Sequence, residues 1–220
     1  MSLKALGLLG LVGFVTLIAP GRAQSGQSAG TPPLMNRDRE IALGLSSCPT
    51  AVASKAGVYV LEKSGYVRVR ESENGFTAIV QHPGPTGQAP QCLDAEGART
   101  FLPRMLRVAE LRAQGKPEAE IQTIVADAVA KGVIPTPQHP GVIYMLSTEN
   151  IQPTFPPHVM FYGTHLENKD LGVNAQDRGA DGNPKAPTFV AGDGPFALII
   201  VPVGPHGVDV SDRPPRQSGD

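Results

Sequence analysis

The chain has 220 residues, 40% of them hydrophobic and 18% charged, with no Trp and a formal net charge of −1. Its 25 Gly and 22 Pro make up about a fifth of the chain, well above ordinary usage, but they follow no strict period, which excludes collagen. The near-balanced charge, with no Lys/Arg-rich run, argues against a nucleic-acid partner, and the low charged fraction argues against a charge-driven disordered chain.

Residues 1–23 read as a secretory signal peptide. Lys4 supplies the basic start, Ala5–Ala19 is an uncharged and largely apolar stretch, and Gly21 and Ala23 place small residues where a signal peptidase cuts. The stretch is shorter than the roughly 20 apolar residues a membrane span needs, so no span is expected after cleavage. The rival reading is an uncleaved N-terminal anchor. Cleavage removes Lys4 and Arg22 and takes the net charge from −1 to −3. Cys48 and Cys92 stay in the mature part, and an oxidising compartment predicts a disulfide between them, since neither has the spacing of a redox or zinc motif.

Residues 24–35, rich in Gly, Ser, Gln and Pro, read as a flexible linker, residues 36–203 as one α+β domain and residues 204–220 as a disordered tail. Asn36 caps a helix running to Ser46, with Asp38 and Glu40 in its first turn, Leu34, Ile41, Ala42 and Leu45 as its apolar stripe, and Pro49 as its stop. Val58–Glu62, Tyr66–Arg70 and Phe76–Gln81 read as a three-strand meander, its second turn made at Asn74-Gly75. Residues 82–90 form a Pro/Gly loop. A helical hairpin follows: Asp94 to Gln114, divided at Pro103, then a helix opened by Pro117 with Ile121, Ile124, Val125, Ala128 and Val129 on one face and Gly132 as its stop. Gly141–Leu146, His158–Tyr162, Phe189–Ala191 and Pro195–Val201 return to strands, with a helical turn at Lys169–Gly172 and a long Asn/Asp/Gly-rich loop from Gly172 to Pro187. The order implies a mostly antiparallel sheet of about six strands with the helical hairpin packed on one face and an N-terminal helix.

HExxH, GxSxG, SxxK, Walker, GxGxxG and paired CxxC motifs are all absent. The densest polar segment runs from Phe155 to Asp170. His158, Glu149 and Ser147 are the catalytic candidates of a hydrolase-like or metal-dependent enzyme, and Tyr162, His165 and Glu167 are binding candidates. A zinc site on His158, His165 and a carboxylate is disfavoured, because an odd offset of seven on one strand points the two imidazoles to opposite faces. Ser147–Asn150 reads equally as a turn bonded to its own backbone. Asp94 and Glu96 suit helix capping better than a catalytic acid pair, and Asp177–Asn183 is only faintly like a calcium loop. His82 and His139 precede Pro and read as loop histidines, and His206 falls in the tail. No metal and no cofactor are expected.

Four segments, Asn74–Val80, Cys92–Gly97, Tyr144–Asn150 and Pro156–Tyr162, resemble a group of exported bacterial proteins without an assigned activity, over roughly Arg39 to Gly204. The resemblance implies a periplasmic or secreted bacterial protein and carries over no catalytic residue. The reading that follows is an exported, non-catalytic domain that binds a small molecule or an envelope protein, with a pocket beside the sheet near the end of the His158–Tyr162 strand. The hydrolase-like enzyme is its rival, and a module offering a strand edge to a partner chain is a third reading.

Overall fold

The computed structural model describes residues 34–83, 87–149, 156–173 and 188–203. The signal peptide, all but the last two linker residues, the Asp177–Asn183 segment and the tail lie outside them. The described chain folds as α1 (Arg37–Ser46), α2 (Thr50–Ala53), β1 (Gly57–Glu62), β2 (Gly65–Arg70), β3 (Thr77–Gln81), β4 (Ala89–Leu93), α3 (Ala95–Ala113), α4 (Glu118–Ala130), β5 (Val142–Met145), β6 (His158–Tyr162), β7 (Phe189–Ala191) and β8 (Leu198–Pro202). Short 3-10 turns occupy Asn168–Leu171 and Gly194–Phe196.

The fold is α+β, but its sheet has eight strands rather than six, in the order β2-β1-β3-β4-β5-β6-β8-β7, and it is mixed. β1 and β2 form the expected hairpin, with Glu62 opposite Gly65. The meander then fails. β3 crosses to the other side of β1 and runs parallel to it, pairing Gly57 with Thr77, Val58 with Ala78 and Tyr59 with Ile79. Asn74 explains the difference. Its amide donates to Val52 O at 2.9 Å while its Oδ1 accepts from Phe76 N at 3.1 Å, so the Asn-Gly pair anchors a crossover against α2 instead of closing a hairpin. All other strand pairs are antiparallel.

β4 falls partly in the segment read as a loop. Pro90 hid it, because proline cannot donate to a ladder. Pro90 pairs with Val80 on one side, while β5 engages only Cys92 and Leu93, so the proline lies where the second neighbour is missing. All five β4 residues are buried.

Alternation along the strands assigns two faces. Val58, Val60, Ala78 and Cys92 pack with Leu45, Cys48 and Ala53 from the α1 side. Ile79, Leu93, Ile143 and Met160 pack with Phe101, Leu102, Met105, Leu111, Ile121 and Val125 from α3 and α4. The N-terminal helix and the helical hairpin therefore cover opposite faces of the sheet. Because β3 is covered on both sides, Thr77 to Val80 are all buried. Cys48 and Cys92, both fully buried, form the disulfide between the end of α1 and β4, with a Cα–Cα distance of 5.1 Å.

α1 begins as expected, Asn36 Oδ1 accepting from Arg39 N at 3.2 Å. Its buried face is rotated from the expected stripe, however: Glu40, Leu43 and Gly44 point inward while Ile41 and Ala42 are only half-buried. α3 is one continuous helix through Pro103. An internal proline costs about 3 kcal/mol. Burial of Phe101, Leu102 and Met105 around it, at about 1.5–3 kcal/mol each, offsets that cost. α3 and α4 stop alike, at Gly115 (φ +74°) and Gly132 (φ +70°), where the left-handed backbone lets Lys116 N reach Leu111 O and Val133 N reach Ala128 O.

Candidate functional site

His158, the first residue of β6, is buried and pairs opposite Met145, the last residue of β5. Its Nδ1 lies 3.0 Å from Pro156 O, which makes Nδ1 the protonated nitrogen, and burial lowers its pKa below the usual histidine value. Ser147 is fully buried, and its Oγ accepts from Glu149 N at 3.2 Å, a turn bonded to its own backbone. The Glu149 carboxylate forms an ion pair with Arg39 of α1. Each catalytic candidate thus has a bond within its own neighbourhood, and Ser147 and Glu149 meet through a main-chain N–H rather than through a side-chain relay.

The binding candidates divide between two places. Tyr162 lies against Phe101, ring centroids 5.0 Å apart, with its hydroxyl donating to Asp94 Oδ1 at 2.5 Å. Burial, reinforced by the hydrogen bond to Asp94, holds this phenol far above its usual pKa. His165 and Glu167 instead line a surface cleft with Asn168, Val190 and Asp193. His165 N donates to Gly194 O at 2.7 Å, and Glu167 caps the 3-10 turn and pairs with Lys169 at 2.6 Å. Asp94 caps α3 through Gly97 N and also accepts from Val142 N at 2.7 Å, while Glu96 holds Arg99 and the main chain at Gln138. Among the described residues no group of three His, Cys, Asp or Glu side chains has the arrangement of a metal site.

A more enclosed place lies at the opposite end of the molecule's first four strands. β1 and β3 stay paired only as far as Tyr59 and Ile79, and beyond that point they part at their carboxyl ends. Side chains from three segments satisfy the main chain freed there. Glu40 of α1 accepts from Leu61 N at 2.9 Å, Tyr66 of β2 donates to Val80 O at 2.6 Å, and Arg112 of α3 donates to His82 O at 3.0 Å while its other nitrogens hold Glu118. The ring of His82 completes the set, with Nε2 3.5 Å from Glu40 Oε1. Burial, then the Glu40 carboxylate, raises the Tyr66 pKa well above that of an ordinary phenol.

A cavity of about 210 Å³ opens beside this cluster. Its lining combines the apolar side chains of Leu34, Leu61, Met105 and Val108 with the polar ones of Glu62, Lys63, Tyr66, Gln81, His82 and Arg112. It lies at the carboxyl ends of the parallel pair, where open sheets form ligand crevices. The cleft at His165 and Glu167 lies just past the end of β6, where a pocket is expected, and this second cavity forms elsewhere. His82 does lie in the loop after β3 and Glu40 in the first turn of α1, but both are buried, at 8% and 1% exposure. Two signals pointed here. Residues 40, 43, 44 and 47 share one helix face, and residue 82 continues the inward alternation of residues 78 and 80.

Comparison of this chain with protein-family models, with curated proteins and with solved structures finds no match.

Proposed function

We propose that the protein is an exported domain, periplasmic or secreted, that binds a small molecule without catalysis. The observation that carries this reading is the cavity where β1 and β3 part, lined by apolar side chains and a few polar ones. At about 210 Å³ it is smaller than the roughly 300–1,000 Å³ of pockets for drug-sized ligands, so it suits a small one. Export is supported by the Ala5–Ala19 stretch and by the Cys48–Cys92 disulfide, which is typical of oxidising compartments. No helix among the described residues is long and apolar enough to cross a membrane.

The enzyme reading around His158, Glu149 and Ser147 draws no comparable support, because the carboxylate is committed to Arg39 and the hydroxyl to Glu149 N. The test is a thermal-shift screen of the purified protein with small, mostly apolar compounds. Binders should raise Tm, and Leu61→Trp, which fills the cavity from its wall, should abolish that rise while leaving the protein folded. A screen in which hits bind the Leu61→Trp protein equally well would overturn the reading, as would recovery of the protein from the cytoplasm with its N-terminus intact.

A further inference from the structure

Glu40 and His82 are the two buried acid and imidazole side chains that the fold seals at the parting of β1 and β3, at 1% and 7% side-chain exposure. Among the described residues, the buried side-chain nitrogen and oxygen atoms without a hydrogen-bond partner are Glu40 Oε2 and His82 Nε2. Burying such groups unpaired costs about 1–3 kcal/mol each. The two ring nitrogens of His82 differ. Nε2 is enclosed and faces the Glu40 carboxylate. Nδ1 is not among the buried atoms left without a partner, no described bond engages it, and His82 is one of the residues lining the cavity. A carboxylate beside Nε2 draws the ring proton to that nitrogen and leaves Nδ1 as an acceptor.

We infer that His82 Nδ1 is the polar anchor of the cavity and accepts a hydrogen bond from the head of a small apolar ligand that carries a hydroxyl: an alcohol or a phenol. The inference rests on the cavity being the ligand site. Two other polar groups of the wall are engaged elsewhere, and Gln81 Oε1 already accepts from Gln91 Nε2 at 2.8 Å. Tyr66 spends its hydroxyl on Val80 O, and Arg112 spends its donors on His82 O and Glu118. The ligand body lies against Leu61, Met105 and Val108.

Phenol, toluene and anisole form the probe series, because they share a ring and only phenol donates. Calorimetric or NMR titration of the purified protein should give phenol about fivefold tighter binding than toluene, the value of one net neutral hydrogen bond. His82→Phe should remove the preference while toluene still binds. The ring nitrogens provide a second measurement that needs no variant. The ¹⁵N signal of His82 Nδ1 should be that of an unprotonated nitrogen and should move on adding phenol but not toluene. Equal binding of phenol and toluene, or a protonated Nδ1, overturns the role of His82 and leaves the cavity reading standing. Failure of all three probes to bind overturns both.

Discussion

Asp94 and Tyr162 lie 68 residues apart and share a 2.5 Å hydrogen bond that ties the start of α3 to the end of β6. The phenol ring fits between two glycines. A Cβ on Gly97 would come 2.5 Å from the Tyr162 hydroxyl, and one on Gly141 would overlap the ring edge and approach Asp94 Oδ2 to 2.5 Å. The Asp94 carboxylate also caps α3 and accepts from Val142 N, so one side chain joins α3, β5 and β6.

Gly141→Ala should therefore destabilise the protein by about 1–3 kcal/mol, the usual cost of overpacking, because neither the ring nor the carboxylate can yield without breaking the other's bonds. Tyr162→Phe should cost only about 1 kcal/mol, since Gly97 N still reaches Asp94. Chemical denaturation of both variants checks the order. A Gly141→Ala protein as stable as the parent would show that Tyr162 moves freely.

The disulfide predicts a different size of effect. It closes a sequence separation of 44 residues, worth about 4 kcal/mol in the chain-entropy account. Replacing both cysteines by Ala should lower unfolding stability by about that amount. Because both sulfurs are buried, reductant should act on the native protein only slowly. Equal denaturation midpoints for the parent and the double variant would remove the bridge as a source of stability.

Local patterns made much of this fold legible. The caps at Asn36 and Asp94, the β1–β2 hairpin, the 3.6-residue spacing of α4 and the β6 run all have short-range causes. What was not legible depends on distant partners. Asn74-Gly75 is a hairpin signal by itself, and only the carbonyl of Val52 turns it into a crossover. Pro90 argues against a strand unless a neighbour is missing beside it, and Pro103 argues against a continuous helix unless a sheet lies underneath. Glu40 looked like an acid placed for the helix dipole, whereas its role is set by Leu61 N, 21 residues onward. His82 reads as a loop histidine, and its burial beside Glu40 depends on a residue 42 positions earlier.

Glu96 gives a prediction at low pH. Its hydrogen bonds from Arg99 pull its carboxyl down to about 2 from an ordinary 4.5, burial opposes this, and the main-chain N–H groups of Gln138 and His139 add to it. A carboxyl depressed in the folded state contributes stability that is complete above about 4.5 and is lost as pH falls towards 2. The stability difference between the parent and Glu96→Gln should be constant near neutrality and shrink across that window. The loop at Gln138 and His139 should loosen in parallel, measured as faster amide exchange. A difference that stays constant down to pH 2 would show that the carboxylate does not hold the loop.

His158 acts in a higher window and with the opposite charge. Burial lowers its pKa from 6.5, and the bond to Pro156 O only partly opposes this, so the fold favours the neutral ring. Unfolding releases the ring to bind a proton at its ordinary pKa. The resulting stability loss therefore begins as pH falls below about 6.5, is complete once the folded pKa is passed, and is absent above 6.5. His158→Gln cannot take up that proton, so it should be less stable than the parent at pH 8 and should lose less on acidification to pH 5. Urea midpoints measured from pH 8 to 5 separate this from Glu96, whose window lies lower. Parallel midpoint curves for the parent and His158→Gln would mean that His158 keeps its ordinary pKa in the fold.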